Sequence, residues 1–322
     1  MVHIYFNQML MLSRQPFRIL TLPLFFLTVV TTLVPVNDSA TIFTLLPETE
    51  AMPAESDIFY TERFIPGEPL NFIDESRSAF KSFQGQNYPP DPTADIDWVC
   101  GFRTVNDIEC AFNSARTLEN RQLGTSIPMI TLPDQADWNA MSDGERAIWL
   151  INLERVDRGV DPLHSLESNV TSVAQYYAEY LIYSQTWGHY EDGRSPWGRL
   201  NDNPAIRVCH DFLAVAENLA LFMTSGSSVP LPVERSVFHW MYDDGSCCAW
   251  GHRHTILWQS YNDNSGASGM EGFLGIGRSS GPHSGWNYAE LVVMNVFDPC
   301  STWDYRSKAK RGIPWLPLLL KD

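Results

Sequence analysis

Four polar side chains in the second half of the chain have the types that bind divalent metal ions or transfer protons. Each lies beside tryptophan, glycine or small apolar residues rather than in a charged run: His189, Glu217, Asp243 and His252. A half-buried imidazole or carboxylate needs a partner or a shifted pKa. Each is therefore a candidate ligand, a candidate acid or base, or a structural hydrogen-bonding residue.

The four candidates are separated by 28, 26 and 9 residues, which matches no local zinc motif. Two imidazoles and two carboxylates would suit a divalent ion, zinc above all, if the fold brought them together. Glu217 is also the candidate base of a metal-assisted hydrolysis. Asp243 has a competing partner, because His239 lies four residues before it on a predicted helix.

The segment CCAWGHRHTIL, residues 247–257, holds two cysteines and two histidines within eight positions. Adjacent cysteines are avoided in common structural zinc spacings, so a compact zinc site is disfavoured here. We interpret Cys247 and Cys248 as one disulfide candidate and one odd thiol on a loop leading to the site. We expect His252 to line a pocket at that site and His254 to point elsewhere.

The elements that must position these residues follow from apolar periodicity. Ser142 and Glu145 have capping-box spacing, and Gly159 closes the predicted helix that they open. A second helix is predicted from an apolar stripe at helical spacing, on Val170, Val173, Ala174, Tyr177, Ala178, Leu181 and Ile182. A third is predicted from Val233, Val237, Trp240 and Met241, with Pro230 and Pro232 delaying its start.

The strand signals come late in the chain, in GFLGIGRSS and in AELVVMNVF. The glycines of the first segment read as strand and turn punctuation, since the context of a nucleotide-binding fingerprint is missing. Helices followed by strands predict an α+β domain rather than alternating βαβ units.

Composition indicates export. Basic residues before an apolar run in residues 1–40 predict a secretory signal peptide or a retained anchor, and no second apolar run is long enough to span a membrane. Residues 41–135 are rich in proline and acidic residues, which indicates a leader, and the apolar periodicity of a domain runs over 136–303. Residues 304–322 form a locally basic tail. The net charge of −16 argues against nucleic acid as a partner.

Six cysteines in an exported chain favour disulfides over catalytic thiols. Cys100 and Cys110 are close enough to close a local loop within the leader. The pair Cys209 and Cys300 is a guess among the 15 connectivities that six cysteines allow.

Five segments, taken in order, carry a resemblance to a known family: SDGERAIWLINLERVDRGVDPL, VAQYYAEYL, WGHYEDGRSPWGRL, AENLA and HWMYDDGSCCAWGHRHTIL. Together they resemble the CAP superfamily, which includes cysteine-rich secretory proteins, antigen 5 and pathogenesis-related 1, and in particular its bacterial SCP-like branch. The resemblance implies a three-layer α-β-α sandwich, here with an N-terminal extension. It also implies a central cleft that holds two histidines and two acidic residues, and in some members a divalent metal.

Carried over residue by residue, the resemblance places His189, Glu217, Asp243 and His252 in this cleft. Asp243, three residues after Trp240, stands where glutamate is commoner in the family. After the second histidine, RHTILWQS stands in place of a stretch rich in Tyr, Thr and Gln. The shorter aspartate reaches less far into a cleft than glutamate would, and any substrate wall built from the second stretch has changed.

Three functions fit these residues. The first is a secreted binding module whose cleft takes up a divalent ion, a small apolar ligand, a peptide or a cell-surface component. The second is a metal-assisted peptide or ester hydrolase, and the third is a structural cell-surface domain. The absence of a nucleophile-elbow serine counts against an ordinary α/β-hydrolase, and a shared scaffold does not by itself imply a reaction.

Overall fold

A computed structural model describes residues 88–207, 215–258 and 272–298 of the chain. The predicted signal segment 1–40, the predicted tail 304–322 and the first part of the predicted leader lie outside these residues, as do Cys209 and Cys300.

Within the described residues the chain forms helices and strands in mixed order. The helices are α1 Val105–Leu123, α2 Gln135–Ala140, α3 Asp143–Val156, α4 Ser168–Ser184, α5 Pro196–Asp202, α6 Pro232–Tyr242, α7 Gly245–Cys248 and α8 Gly251–Ile256. The strands are β1 Ser165–Leu166, β2 Val215–Thr224, β3 Phe273–His283 and β4 Trp286–Phe297.

The four strands form one mixed sheet in the order β1-β3-β4-β2. β1 runs parallel to β3, whereas β3 and β2 are both antiparallel to β4. The two late strand predictions are confirmed in β3 and β4. β2, which carries the AENLA segment, lies at one end of the sheet order, so its outer edge is available to the residues that build the site.

The predicted start of α3 is confirmed by its cap, and α6 begins after Pro230, at Pro232. Ser142 accepts a hydrogen bond from the Glu145 amide while Glu145 accepts one from the Ser142 amide, and this capping box starts α3. Gly159 has the left-handed φ of 77° in the turn after α3. α6 begins at Pro232, where a proline at the first position loses no helical hydrogen bond.

Helix α4 packs tightly against β3. Its buried residues are the seven of the predicted apolar stripe. A Cβ on Gly275 would lie 2.3 Å from the Val170 carbonyl carbon, and one on Gly277 would lie 2.2 Å from that of Ala174. These glycines therefore allow close approach of the α4 backbone, which their interpretation as strand and turn punctuation missed.

Alternate residues of the strands contribute to two hydrophobic clusters. One cluster joins α4 to Leu219, Leu291 and Val293. The other joins residues of α1, α3 and α6 to the intervening positions, including Ala220, Val292 and others along the same strands. Side chains alternate between the two faces of a sheet, so the strand residues of the two clusters lie on opposite faces.

Helix α1 lies before residue 136, where the sequence predicted the domain to begin, yet it belongs to the same core. Its Ile108, Phe112 and Ala115 side chains are fully buried. The Cys100–Cys110 disulfide, which is confirmed, bridges the entry to this helix. The described part of the predicted leader is therefore part of the folded domain.

Buried charges tie α1 to α3 and α8. Glu119 accepts hydrogen bonds from Arg158 and from Arg253, each at 2.5 Å, and Arg116 pairs with Glu154 at 3.0 Å and with Asp157 at 2.5 Å. Three guanidinium groups and three carboxylates balance one another in this cluster, which explains how charged side chains of α1 are buried. Arg253 directly follows the candidate site residue His252.

The described fold is thus α+β, with helices around a mixed four-stranded sheet. Among the described residues, no helix has the length and apolar character needed to cross a membrane.

Candidate functional site

His189 is held by a carboxylate from the edge strand. Its Nδ1 lies 2.8 Å from Oε1 of Glu217, which projects from β2. The loop that carries His189 is fixed from α4, because the Tyr177 hydroxyl donates to the Gly188 carbonyl at 2.5 Å and accepts from the Glu191 amide at 3.2 Å. Burial raises the pKa of Tyr177 well above its ordinary value, so this hydroxyl keeps its proton.

Glu217 is itself saturated with hydrogen bonds. Arg199 of α5 donates through Nη2 to both of its oxygens at 2.7 Å, and Asn295 of β4 donates to Oε2 at 3.1 Å. The Arg199 guanidinium also stacks on the Tyr177 ring, 3.4 Å from its centroid. Oε1 of Glu217 is thus shared by His189 and Arg199, and Oε2 by Arg199 and Asn295, which leaves little capacity for a metal ion or a reacting proton.

His252 has an equivalent arrangement, but with a carboxylate that sequence reasoning missed. Its Nδ1 lies 2.6 Å from Oδ1 of Asp244, which is 1% exposed. The other oxygen of Asp244 accepts the backbone amides of His252 and Arg253 at 2.9 and 3.1 Å. Asp244 therefore caps α8 and orients the imidazole at its start.

Asp243 takes the competing partner that its helical spacing suggested. Its Oδ2 lies 2.9 Å from Nδ1 of His239, on the last turn of α6. It still borders the same cavity as the two site histidines. Asp243 is thus near the site, but it does not contact His252.

A cavity of about 500 Å³ lies along β2 and is lined by three of the four predicted residues. His189, His252 and Asp243 line it, whereas Glu217 stands behind His189. Glu217 contacts His189, which lies in the loop between α4 and α5. The neighbouring Asn218 donates to the His252 carbonyl at 3.0 Å. Consecutive strand residues face opposite sides of a sheet, so Glu217 and Asn218 contact the two histidine residues from opposite faces of β2.

The cavity wall combines polar groups with a large apolar area. Its aromatic and aliphatic members are Trp187, Leu219, Ala220, Leu221, Met223, Trp240 and Trp286. Trp240 is fixed by donating its indole N–H to the Leu219 carbonyl at 3.0 Å. A cavity of this size with few convergent polar groups has the character of a small-ligand site.

The ring nitrogens of the two histidines decide what the site can do. A carboxylate beside Nδ1 favours the tautomer with the proton on Nδ1, and in the neutral ring this leaves Nε2 to accept a proton or bind a metal ion. No described side chain is hydrogen-bonded to the Nε2 of His189 or of His252. Among the described residues, the one cluster of three close metal-ligand types is a different one, formed by Asp244, Cys247 and Cys248.

Cys247 and Cys248 are bonded to each other. The expectation of one disulfide cysteine and one odd thiol was therefore wrong, because the two neighbours satisfy each other. His254, as expected, points elsewhere: its Nε2 lies 2.8 Å from Asp91 Oδ2 and its ring stacks on Tyr88.

Comparisons of the chain with family models, with curated proteins and with solved structures give no match.

The sequence contains a weak signal for each residue that was missed. Asp244 stands beside the candidate Asp243 in MYDDG, but only the turn after α6 shows which of the two faces His252. Arg199 lies in RSPWGRL, within the segments that carry the resemblance. A cation is needed to offset a buried Glu217, yet sequence does not show which of the 22 basic residues supplies it.

Proposed function

We propose that this chain is a secreted binding module of the CAP type whose cleft takes up a divalent ion, zinc in the first place, together with a small apolar ligand or a peptide. One observation carries the proposal: His189 and His252 line one cavity, and a buried carboxylate holds the Nδ1 of each ring.

A carboxylate behind an imidazole is the usual support of a histidine that binds a metal ion. It fixes the tautomer and the ring orientation, and it makes the ligating nitrogen more basic. Zinc accepts imidazole nitrogen readily and retains open positions where protein ligands are few. Two histidines alone leave such positions for water or for a ligand donor, so the bound ion would be exchangeable.

The apolar part of the wall supports the second half of the proposal. Three tryptophans, Trp187, Trp240 and Trp286, border the same cavity as the histidines. An amphipathic ligand could place its apolar part against these rings and a polar atom near the imidazoles.

The finer fold assignment belongs to the same proposal. Cover of one sheet face by α4, and of the other by α1, α3 and α6, supports a three-layer α-β-α sandwich like that of the CAP superfamily. The meeting of the carried-over residues His189 and His252 at one cavity also supports the resemblance.

Export is supported by the disulfides, which form and persist under oxidising conditions. Both cysteine pairs in the described part of the chain are disulfides, and disulfides of this kind are rare in reducing compartments. The excess of acidic residues favours partners other than nucleic acid.

The hydrolase alternative has less support, because Glu217 is committed to Arg199 and His189 and would be a poor base. The purely structural alternative leaves unexplained why two imidazoles line a cavity while no described side chain is hydrogen-bonded to their Nε2 atoms.

The test is zinc titration of the full chain by calorimetry and by thermal unfolding. A ligand that binds the folded state alone raises its stability by RT ln(1 + [L]/Kd), which is about 2.7 kcal/mol at a hundredfold excess over Kd. We expect zinc to raise the melting temperature of the unaltered chain, and we expect His189→Ala and His252→Ala each to abolish most of that rise.

His254→Ala is the matched control, since His254 lies on α8 two residues after His252 but contacts Asp91 instead of the cavity. It should keep the zinc response. A response that survives the combined removal of His189 and His252 would contradict the proposal. So would destabilisation by those substitutions with no zinc response in the unaltered chain.

A further inference from the structure

The disulfide between Cys247 and Cys248 lies in the cavity wall. Both cysteines border the cavity, at the end of the short helix α7 and next to the turn that leads to His252. A bond between neighbouring residues at such a place calls for an explanation.

Stabilisation of the fold does not explain it. In the chain-entropy account, a disulfide stabilises by closing a loop of the unfolded chain, and its contribution grows with the number of residues enclosed. Cys100 and Cys110 are 10 residues apart, so their bond closes a loop of the unfolded chain and stabilises the fold by this route. Cys247 and Cys248 are adjacent and enclose no residue. Their bond contributes almost nothing by this route.

The loop around them is held by other groups. Asp95 accepts the amide of Gly245 at 2.5 Å and that of Ser246 at 3.0 Å. Asp244 accepts the amides of His252 and Arg253 on the other side. The two cysteines would therefore remain close together after the bond between them is broken.

A carboxylate, that of Asp244, lies beside the two cysteines and could act as a third metal ligand. One carboxylate oxygen of Asp244 and the two sulfurs all lie within 4.8 Å of one another. Cys247 Sγ lies 3.8 Å from Oδ1 of Asp244, and because an oxidised sulfur carries no hydrogen this is a contact and not a hydrogen bond. Two thiolates and a carboxylate form a donor set that soft or borderline divalent ions accept, with a fourth position open to water.

We propose that Cys247–Cys248 is a reducible pair, and that its reduction opens a thiophilic metal site made of Cys247 Sγ, Cys248 Sγ and Asp244. A dithiol reductant supplies two electrons and two protons. The bond between the cysteines breaks, two thiols form, and the reductant becomes a cyclic disulfide. A divalent ion then displaces the two thiol protons to solvent and binds the two thiolates.

This site is distinct from the histidine site proposed above and uses other ligands. The two meet at Asp244, whose Oδ1 contacts both Cys247 and the Nδ1 of His252. Asp244 therefore links the cysteine pair, whose oxidation state can change, to the imidazole that borders the cavity.

The experiment uses the full chain, treated or not treated with dithiothreitol, freed of reductant and titrated with cadmium. Alkylation followed by peptide mass mapping identifies the reduced cysteines. We expect reduction at Cys247 and Cys248, and a cadmium–thiolate charge-transfer absorption that saturates at one ion per chain and is absent from the oxidised protein. The double substitution Cys247→Ser, Cys248→Ser should abolish it, and Asp244→Asn should weaken cadmium binding about tenfold or more.

Two controls separate this proposal from the proposed function. Cys100→Ser with Cys110→Ser should keep the absorption, and so should His189→Ala, because imidazole ligation gives no thiolate band. The proposal is overturned if the reduced chain shows no band, if the band persists without Cys247 and Cys248, or if the reductant leaves this pair intact. Should the double serine variant fail to fold, selective alkylation of the two thiols in the reduced chain must abolish the band instead.

Discussion

Asp244 contacts His252 twice, through Oδ1 to the ring Nδ1 at 2.6 Å and through Oδ2 to the backbone amide at 2.9 Å. The preceding residue, Asp243, turns back to His239 on α6. Helix α6 ends at Tyr242, so the two aspartates leave the helix in different directions. The carboxylate that orients the second site histidine is thus one position further along the chain than Asp243, the acid that the resemblance places in the cleft.

Asp244→Asn should impair zinc binding more than Asp243→Asn. An amide in place of the Asp244 carboxylate presents an N–H to His252 Nδ1 and favours the tautomer with the proton on Nε2, which cannot bind metal. We expect zinc affinity to fall by about 10–100-fold, the range for loss of such a supporting group. Calorimetric titration measures it. Equal losses from both variants would contradict this assignment.

Arg199→Met should destabilise the fold. The Arg199 side chain is 1% exposed and Glu217 is fully buried, so removal of the guanidinium leaves a buried carboxylate without its counter-charge. Loss of one member of a buried ion pair costs about 3–5 kcal/mol. Urea unfolding measures the change. Adding Glu217→Gln to this variant should recover part of the loss, and a double variant no more stable than Arg199→Met would argue against the charge explanation.

Stability should fall on acidification in two overlapping steps. Burial lowers the pKa of His164 from its ordinary 6.5 to about 4, so below pH 6.5 the unfolded chain binds this proton before the folded chain does. Burial alone would raise the pKa of Glu119, but Arg158 and Arg253 lower it from 4.5 to about 2. The unfolding free energy therefore decreases from about pH 6.5 to 4, and again from about 4.5 to 2.

The test of the upper step is urea unfolding of the unaltered chain and of His164→Gln at a series of pH values. Burial of His164 corresponds to a loss on the order of 3 kcal/mol across its range. The variant should show a shallower slope between pH 6.5 and 4 and an unchanged slope below. An unchanged upper slope would assign that step to another group.

Phe112→Ala should show that α1 belongs to the core. Phe112 is fully buried and packs edge-on against Phe238 and Tyr242 of α6. Removing a buried phenylalanine ring costs about 3–5 kcal/mol. Leu118→Ala on the same helix is the control, since Leu118 is 38% exposed and its loss should change stability by about 0.5 kcal/mol or less. Similar small effects would mean that α1 is only loosely attached.

Local patterns were enough to predict much of the fold. Ser142 with Glu145 marked the start of α3, the stripe from Val170 to Ile182 marked the buried face of α4, and two apolar runs marked β3 and β4. Each of these signals depends on neighbours within a few turns of helix or on alternation along a strand. The sequence did not predict α1 because its buried face includes Arg116 and Glu119. Charged residues are expected to be exposed to solvent unless their partners are known.

For the site, the residue types by themselves identified His189 and His252 as candidates, because an imidazole beside glycine and tryptophan needs a partner. Only the tertiary structure shows which residue that partner is. His189 contacts Glu217, which is paired with Arg199, and His252 contacts Asp244 rather than Asp243. A carboxylate's role depends on which charges and amides lie within about 3 Å, and residues far apart in sequence supply those contacts. Spacing along the chain does not encode that distance.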